Sequence, residues 1–560
     1  MDTLVAQAVA TTDSSVNTFG WDTAYIASFP VINNAIIAQK SYPAEFNYTD
    51  ATEIVIAGQW TSWQLTPGGA GGDVQMVCTV QSGTATGALS GDLTDSQVVI
   101  QVNLKTVAAN DPVNDPTAKT GSGASQALVV DTAGKGLDPA VSIISSSYPN
   151  VTSQLLKDIL DSVFKDYFTA NIGEFNHVFA VMNLNEVADQ DGFQWLKPTA
   201  FQYAVASPED GSIANSAFGL IAMVQGHPVD PTMQQAVDVR ALQNLPAGAN
   251  SAFVISETMV AQNMLLRGAI ATIQGSAASD FGFSADGLSV TNVNDVLWGN
   301  FQTADNGVIS PSISANNFVM RADDTYVYLE ISDAQYETSP GVTVHMNLTQ
   351  KFTYNTVQAQ NGNYVFIPDI TGFGNPSITA NVSLSEGLQI TEIVLGAVAA
   401  IAGVVCIVSG IGAALSASAD VAVDTAANTA DIVMDAEDVA AAVAENPAEA
   451  AAENDAGAEA ADAGAADPGN AGLVQNSGIF TSTQFRLAIG LVGAIAGSTS
   501  GSIGLAKAIT QQDYDNIPAF NTFAENCFGA SVWPGLSDYQ LISASFRSSL
   551  VMALAMDAGS

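Results

Sequence analysis

The stretch "TEIVIAGQW" (Thr52–Trp60) places apolar and polar side chains in near alternation, which is the period of a half-buried β-strand. The same pattern returns in "DVQMVCTVQSG" (Asp73–Gly83) and "SQVVIQVNLKTV" (Ser96–Val107), with glycine-rich turns between the stretches. We therefore predict antiparallel strands with one buried face. The turn Pro67–Asp73 has no Gly-Lys-Ser/Thr ending, so it indicates a hairpin connection and not a phosphate loop.

An amphipathic helix is predicted further along, at "TSQLLKDILDSVFKDYFTA" (Thr152–Ala170), where Thr152 or Ser153 can cap the first turn. Apolar residues recur there at helical spacing, and charged residues take the opposite side. The plain interpretation is a helix packed on a sheet. The sharper hypothesis is that its apolar face lines a lipid cavity. The candidate ligand-binding residues on it are Leu155, Leu156, Ile159, Leu160, Val163, Phe164 and Phe168.

A second helix is predicted from Glu257 to Ile270, with Ser256 as its cap. Met259, Met264 and Leu265 are its candidate cavity residues. Strand-like segments precede and follow both helices. This order favours an α+β fold built from two copies of one plan, each a curved antiparallel sheet around a helix. We assign the first copy to residues 1–170 and the second to residues 171–388.

The last third of the chain changes composition. Two apolar runs, 389–416 and 481–510, are predicted as helices that form a hairpin. Between them, 417–480 is rich in Ala, Asp and Glu, and we expect it to be largely disordered. Strand patterns return in 511–560. The hairpin has three interpretations: it is covered by the rest of the protein, it inserts conditionally into membranes, or it spans a membrane permanently. The covered hairpin is the default, because soluble proteins rarely expose so much apolar area.

Charge excludes one large class of partner. The chain has 14 basic and 55 acidic residues, for a formal net charge of −41, so its surface repels nucleic acid. The N-terminal segment has no basic region before its short apolar stretch, so we predict no signal peptide and synthesis in the cytoplasm. Later release or association with a membrane remains open.

Catalytic and metal-binding signatures are missing from the sequence. The three cysteines are widely separated, and the three histidines, His177, His227 and His345, stand far apart in strand-like segments. No zinc spacing and no Ser–His–Asp signature can be drawn from them. We therefore expect a protein without enzymatic activity, cofactor or metal.

Several stretches together resemble the TULIP-like (tubular lipid-binding) proteins encoded in the orfX clusters of clostridial neurotoxins. They are "NTFGWDTAYIASFPVINNAI" from Asn17, "GQWTSWQLTPGGAGGDVQM" from Gly58, "FNHVFAVMNLNEVADQDGFQWLKPTAFQYAVA" from Phe175, "FVISETMVAQNMLL" from Phe253 and "VWPGLSDYQLIS" from Val532. In the first stretch the helix should start near Ser28, so that Pro30 falls in its tolerated first turn. The acidic segment has no counterpart in the resemblance.

The resemblance implies two TULIP-like modules and non-enzymatic binding of a lipid or another hydrophobic ligand. The alternative function is a structural component of a toxin-like or secreted assembly, with partner proteins and a membrane-inserting hairpin. Bound lipid in the purified protein would favour the first function, and a stable complex without lipid would favour the second.

Overall fold

The computed structural model describes residues 15–108, 125–298, 301–385, 421–434 and 527–558. Short gaps occur within these ranges, and none of them falls inside a strand named below. The chain forms two compact units. Unit 1 contains residues 1–256 and 522–560, and unit 2 contains residues 257–521.

The helices of unit 1 are α1 (Phe29–Gln39) and α2 (Gln154–Ala170). Unit 2 has α3 (Glu257–Val260), a π-helical segment (Ala261–Leu265) and α4 (Leu266–Thr272). Short 3-10 turns lie at Gln194–Leu196, Ile213–Asn215, Val239–Leu242 and Ala278–Asp280.

The strands of unit 1 before the unit boundary are β1 (Thr23–Ser28), β2 (Glu45–Thr49), β3 (Val55–Leu65), β4 (Val74–Thr86), β5 (Gly91–Asp92), β6 (Gln97–Val102), β7 (Leu104–Ala108), β8 (Ser125–Val130), β9 (Val141–Ser147), β10 (Ala180–Asn183), β11 (Pro198–Ala206), β12 (Ala217–Val224) and β13 (Ser251–Ile255). Unit 2 contains β14 (Phe281–Phe283), β15 (Ser289–Asn292), β16 (Val296–Leu297), β17 (Phe301–Gln302), β18 (Val308–Ile309), β19 (Ser312–Ile313), β20 (Phe318–Ala322), β21 (Val327–Ser339), β22 (Val342–Gln358), β23 (Tyr364–Asp369), β24 (Ser377–Leu384), β25 (Val421–Ala427) and β26 (Ala430–Met434). The chain returns to unit 1 with β27 (Ser531–Val532), β28 (Leu536–Arg547) and β29 (Ser549–Ala558).

Unit 1 is organised around a six-stranded antiparallel sheet in the order β11-β12-β1-β13-β29-β28. All six residues of β1 are buried, because β1 lies between β12 and β13 and both of its faces are covered. One face carries Ile26, Ile221 and Val254, which pack with Trp21 in a buried hydrophobic core. The first and last of the described strands, β1 and β29, therefore belong to the same sheet.

A second sheet of unit 1 carries the alternating stretches, in the order β2-β3-β4-β6-β9 with β5 beside β4. The predicted alternation is confirmed in β4, where Val74, Met76, Cys78 and Val80 are buried and the residues between them are partly exposed. Helix α1 is tied to this sheet by Asn33, whose Nδ2 donates to the Leu65 carbonyl at 3.0 Å and whose Oδ1 accepts from the Leu65 N–H at 2.7 Å. Unit 1 also holds a four-stranded sheet, β27-β10-β8-β7.

Unit 2 is built on an 11-stranded sheet that runs β14-β15-β20-β21-β22-β24-β25-β26, with β16, β19 and β23 attached to it. The pairing of β24 with β25 is parallel, and the other pairings along this order are antiparallel. Strand β22 is the longest of the described strands, with 17 residues, and it pairs with β21, β23 and β24.

The predicted α+β architecture of two TULIP-like modules, each wrapped around a long amphipathic helix, is wrong. Strands dominate the described residues, and the predicted helix at Glu257–Ile270 is three short pieces with a π-helical turn in the middle. A physical reason is Asn263, whose side-chain Nδ2 donates to the Met259 carbonyl at 3.0 Å. That carbonyl is the acceptor that the Asn263 N–H would use in a regular α-helix, so the side chain competes with the backbone.

The structure also divides the chain differently from the predicted boundary at residue 170, because the units separate between Ser256 and Glu257. Most of the acidic segment, 417–480, lies outside the described residues, but β25 and β26 occupy part of what we predicted to be disordered. The two predicted apolar helices, 389–416 and 481–510, lie outside the described residues. Among the described helices, none combines the length and the apolar composition that a bilayer crossing requires.

Candidate functional site

Helix α2 is held at both ends by side chains. Ser153 is the N-cap, and its hydroxyl oxygen accepts a hydrogen bond from the Leu156 N–H at 3.2 Å. At the other end, the backbone N–H and the Nδ2 of Asn171 both donate to the Tyr167 carbonyl, each at 2.9 Å. These bonds satisfy backbone groups that a helix end leaves open, so the sequence sets the length of α2.

The buried face of α2 includes some of the candidate residues and leaves others out. Leu156, Leu160, Val163, Phe164 and Phe168 are fully buried, and Tyr167 joins them. Ile159 is half-buried, and Leu155 is 62% exposed, so Leu155 does not face the sheet. Neighbouring residues on a helix point about 100° apart, so Leu155 and Leu156 cannot both face the sheet.

The buried face of α2 meets an aromatic cluster, which we define as Phe46, Trp60, Trp63, Phe164, Tyr167 and Phe168. Trp60 of β3 is at its centre, with ring centroids 4.6–6.1 Å from those of the other five members. Its ring stacks on Phe168 at an interplanar angle of 27°. Tyr148, just after β9, stacks on Phe164 at 6.0 Å. The buried face of α2 therefore packs on aromatic rings from β2 and β3.

Irregular pairing of β3 with β4 allows both tryptophan rings of β3 to face α2. The register shifts on both sides of Trp60, between Gln59 and Trp60 and between Trp60 and Ser62. In a regular strand, residues an odd number apart point to opposite faces, so Trp60 and Trp63 would be separated. The bulged strand brings both rings to the buried face.

Few polar atoms lie in this region. The Nε1–H of Trp60 is buried and makes no hydrogen bond. The Tyr148 hydroxyl donates to Asp161 Oδ1 at 2.8 Å, and burial together with the Asp161 carboxylate raises the pKa of Tyr148. Cys78 lies on the same buried sheet face, and burial raises the pKa of its thiol, which keeps it protonated. The described surroundings of α2 are therefore mainly apolar and aromatic.

The second candidate set lies in unit 2. Met259, Met264 and Leu265 are buried along α3 and the π-helical segment, which packs against β15 and β20. The two candidate sets therefore lie in different units. In the part of the chain that the structure describes, no group of three His, Cys, Asp or Glu side chains is arranged to hold a metal ion.

Comparison with known proteins identifies the family. A family profile described as OrfX-like, "Protein OrfX2/OrfX3/P47", matches residues 18–484. The chain belongs to the OrfX-like family. It is 26% identical to Protein OrfX3 of Paraclostridium bifermentans over 420 residues, which is 69% of this chain and 81% of that protein. It is also 26% identical to Protein OrfX3 of Clostridium botulinum (strain Kyoto / Type A2) over 271 residues, 44% of this chain and 54% of that one.

A solved structure of P47 from Clostridium botulinum A2 matches the fold of this OrfX-like chain. The TM-score is 0.51 at 19% sequence identity, and the match covers 69% of this chain and 86% of P47. At this identity the likeness shows a shared fold and does not extend to a shared ligand.

Sequence reasoning missed the sheet residues that complete the site in this OrfX-like protein. Phe46, Trp60, Trp63 and Tyr148 cover the face of α2, yet none was among the candidates. A usable signal was present for two of them, because Trp60 and Trp63 are large aromatic residues inside an alternating strand. The bulge that turns both to one face had no sequence signature that we recognised.

Proposed function

We propose that this OrfX-like protein binds a hydrophobic ligand, of the lipid class, between α2 and the sheet that carries β2 and β3, without changing the ligand chemically. The observation that carries this proposal is the aromatic cluster and, within it, the buried Trp60 Nε1–H, which has no acceptor. A buried donor without an acceptor costs about 1–3 kcal/mol, so a ligand that supplies one gains that amount.

The side chains that face α2 indicate the kind of ligand that would fit. Closely packed aromatic rings and the apolar face of α2 suit an acyl chain, and the indole N–H suits a carbonyl or carboxylate oxygen at one end of it. Because the described side chains fill the interface, ligand entry requires α2 to move away from the sheet. Helix α2 contacts the sheet through one face only, and its opposite face is exposed, so it can move without breaking a second interface within unit 1.

The test begins with protein purified without detergent and examined by native mass spectrometry, followed by lipid extraction. We expect one bound lipid for each chain. Leu160→Trp, which fills the interface beneath α2, should lower the bound fraction at least about tenfold. Leu155→Trp makes the same change on the exposed side and should leave it unchanged, since Leu155 does not face the sheet.

Two outcomes would contradict the proposal. An empty protein that also fails to take up a fatty acid would show that the aromatic cluster is only a packed core. Bound lipid that persists equally in folded Leu160→Trp and Leu155→Trp would place the ligand elsewhere. An empty protein that forms a stable complex with neighbouring gene products would support the assembly function instead.

A further inference from the structure

Three polar side chains of unit 2 form a chain of short hydrogen bonds on one face of its large sheet. His345 Nδ1 lies 2.6 Å from Asp333 Oδ1, and His345 Nε2 lies 2.9 Å from Ser383 Oγ. The three residues come from β21, β22 and β24, which are neighbours in the sheet. No sequence motif links them, and their order and contacts arise only from strand pairing.

Strand β22 turns His345 toward the open face. Val342, Val344, Met346 and Leu348 are buried on the other face, and His345 stands between them with 27% of its side chain exposed. Ser383 lies directly across from Thr343 in the register of β22 and β24, so its side chain emerges on the same face as His345. A nucleophile and a base thus lie on the same solvent-exposed face of the sheet.

The backbone of β21 is bent to present Asp333. The register of β21 against β22 shifts between Ile331 and Ala334, and Asp333 has a φ of +51°, which is uncommon for a residue with a side chain. The Asp333 N–H donates to Asn347 Oδ1 at 2.9 Å, and Gln335 Nε2 donates to Asp333 Oδ2 at 2.6 Å. Neighbouring side chains therefore hold a bulged residue whose carboxylate is aimed at His345.

These contacts suit one arrangement of protons. An ionised Asp333 carboxylate only accepts, so His345 donates to it from Nδ1, and a neutral imidazole then has Nε2 free to accept from the Ser383 hydroxyl. The hydroxyl also lies 3.5 Å from the Thr343 carbonyl, but the 2.9 Å contact with His345 is the shorter of the two. This is the arrangement of a nucleophile, a general base and a group that orients the base.

The backbone beside Ser383 offers a donor. The Ser385 N–H donates to the Gly341 carbonyl, and alternation in an antiparallel pair then turns the N–H of Leu384 away from β22. In the described residues, the pairing of β24 with β25 ends at Val382. The N–H of the residue after the nucleophile is thus not bonded to β22, and it is the candidate oxyanion donor.

We propose that Ser383, His345 and Asp333 form an acyl-transfer site for small, uncharged carboxylic esters. Ser383 Oγ bonds to the ester carbonyl carbon while its proton passes to His345 Nε2. The carbon–oxygen bond to the alcohol then breaks, and that proton leaves with the alcohol. Water attacks the acyl-serine by the same route and releases the acid. Gln335, Thr343 and Asn347 make the surrounding face polar, which suits a short acyl group. The site lies in unit 2 and is independent of the ligand site proposed in unit 1.

The test uses the full-length protein and diisopropyl fluorophosphate, which phosphorylates a serine oxygen as fluoride leaves. Intact mass and peptide mapping should show one adduct, on Ser383, and p-nitrophenyl acetate should give a burst of p-nitrophenolate. Ser383→Ala should abolish both. His345→Ala should slow labelling by roughly 10²-fold or more, and Asp333→Asn by at least about tenfold, because a general base contributes on that order.

Ser385→Ala is the matched control, since Ser385 is an exposed serine on the same segment and should not affect labelling. Each variant is checked for native circular dichroism. The proposal is overturned if folded wild-type protein is not labelled at Ser383, or if Ser383 is labelled at the same rate in folded His345→Ala. Either result would reduce the three residues to a surface hydrogen-bond network.

Discussion

At the scale of single residues, Trp60 combines extensive ring contacts with a polar N–H that lacks a hydrogen-bond acceptor. Its ring lies within 6.1 Å, between ring centroids, of the five other members of the aromatic cluster, whereas its Nε1–H has no acceptor. Packing and hydrogen bonding can therefore be separated at this one side chain by substitution.

We predict that Trp60→Phe destabilises unit 1 less than Trp60→Ala. Phenylalanine keeps most of the ring contact and removes the unpaired donor, so the expected cost is about 1–2 kcal/mol. Alanine leaves a large cavity and should cost about 3–5 kcal/mol. Urea unfolding followed by circular dichroism measures both. Equal costs would show that the ring contacts of residue 60 contribute little to the stability of unit 1.

Tyr539 gives the chain a sensitivity to alkaline pH. Burial raises the pKa of Tyr539 to about 12, against about 10 for a free tyrosine. Between these values the folded state holds a proton that the unfolded state has lost, so stability is complete below about pH 10 and falls as the pH rises towards 12.

We predict that Tyr539→Phe makes this loss of stability smaller. The difference is the contribution of one proton, about 1.4 kcal/mol for each pH unit within the window. Urea midpoints measured from pH 9.5 to 11.5 should fall more steeply for the wild type than for the variant. Tyr25, whose pKa burial also raises, remains in both proteins. Parallel slopes would show that Tyr539 is already ionised, or already exposed, at the start of the window.

At the scale of elements, α2 depends on its N-cap. Ser153 and Thr152 are adjacent and both are good capping residues by type, but only Ser153 accepts from the Leu156 N–H. We predict that Ser153→Ala costs about 1 kcal/mol and that Thr152→Ala costs less than about 0.5 kcal/mol. Thermal or urea unfolding compares the two variants. A larger cost for Thr152→Ala would move the start of the helix by one residue.

The same element shows how far periodicity reaches. The period predicts that α2 exists, and the structure confirms its residues from 154 to 170 and the start of α1 just after Ser28. It does not decide between Leu155 and Leu156, because both lie beside the apolar stripe. In α3 and α4 the period predicted one helix, and a single asparagine that bonds back to Met259 accompanies a π-helical turn instead.

At the scale of the whole molecule, the end of the chain completes a sheet begun near its start. β29 pairs with β13, β13 pairs with β1, and Ser549 Oγ donates to the Val16 carbonyl at 2.8 Å. Unit 1 therefore closes only when residues more than 500 positions apart in the chain have met, as that hydrogen bond shows with a separation of 533.

We predict that removing residues 536–560 destabilises unit 1 selectively. Amide exchange in β13 should become at least about tenfold faster, because β13 loses its β29 partner and the buried Leu550, Met552 and Leu554 are deleted. Exchange in β21 and β22, which pair within unit 2, serves as the internal control. Equal acceleration in both units would show that they do not unfold separately.

The sequence by itself determined the local elements of this protein. Alternation predicted the strands of unit 1, helical spacing with a serine cap predicted α2, and quoted stretches such as the one beginning at Asn17 led to the correct family. These signals are local because each depends on the geometry of a few consecutive residues. They described the elements and did not describe how the elements assemble.

Only the tertiary structure decided which strands pair, where the chain divides into units, and which side chains meet. The bulges that put Trp60 and Trp63 on one face, and that aim Asp333 at His345, are register shifts between paired strands. A register belongs to two segments at once and is set by the burial of both, so no single stretch specifies it. For the same reason the sequence set His345 aside as isolated, and folding placed it between an aspartate and a serine.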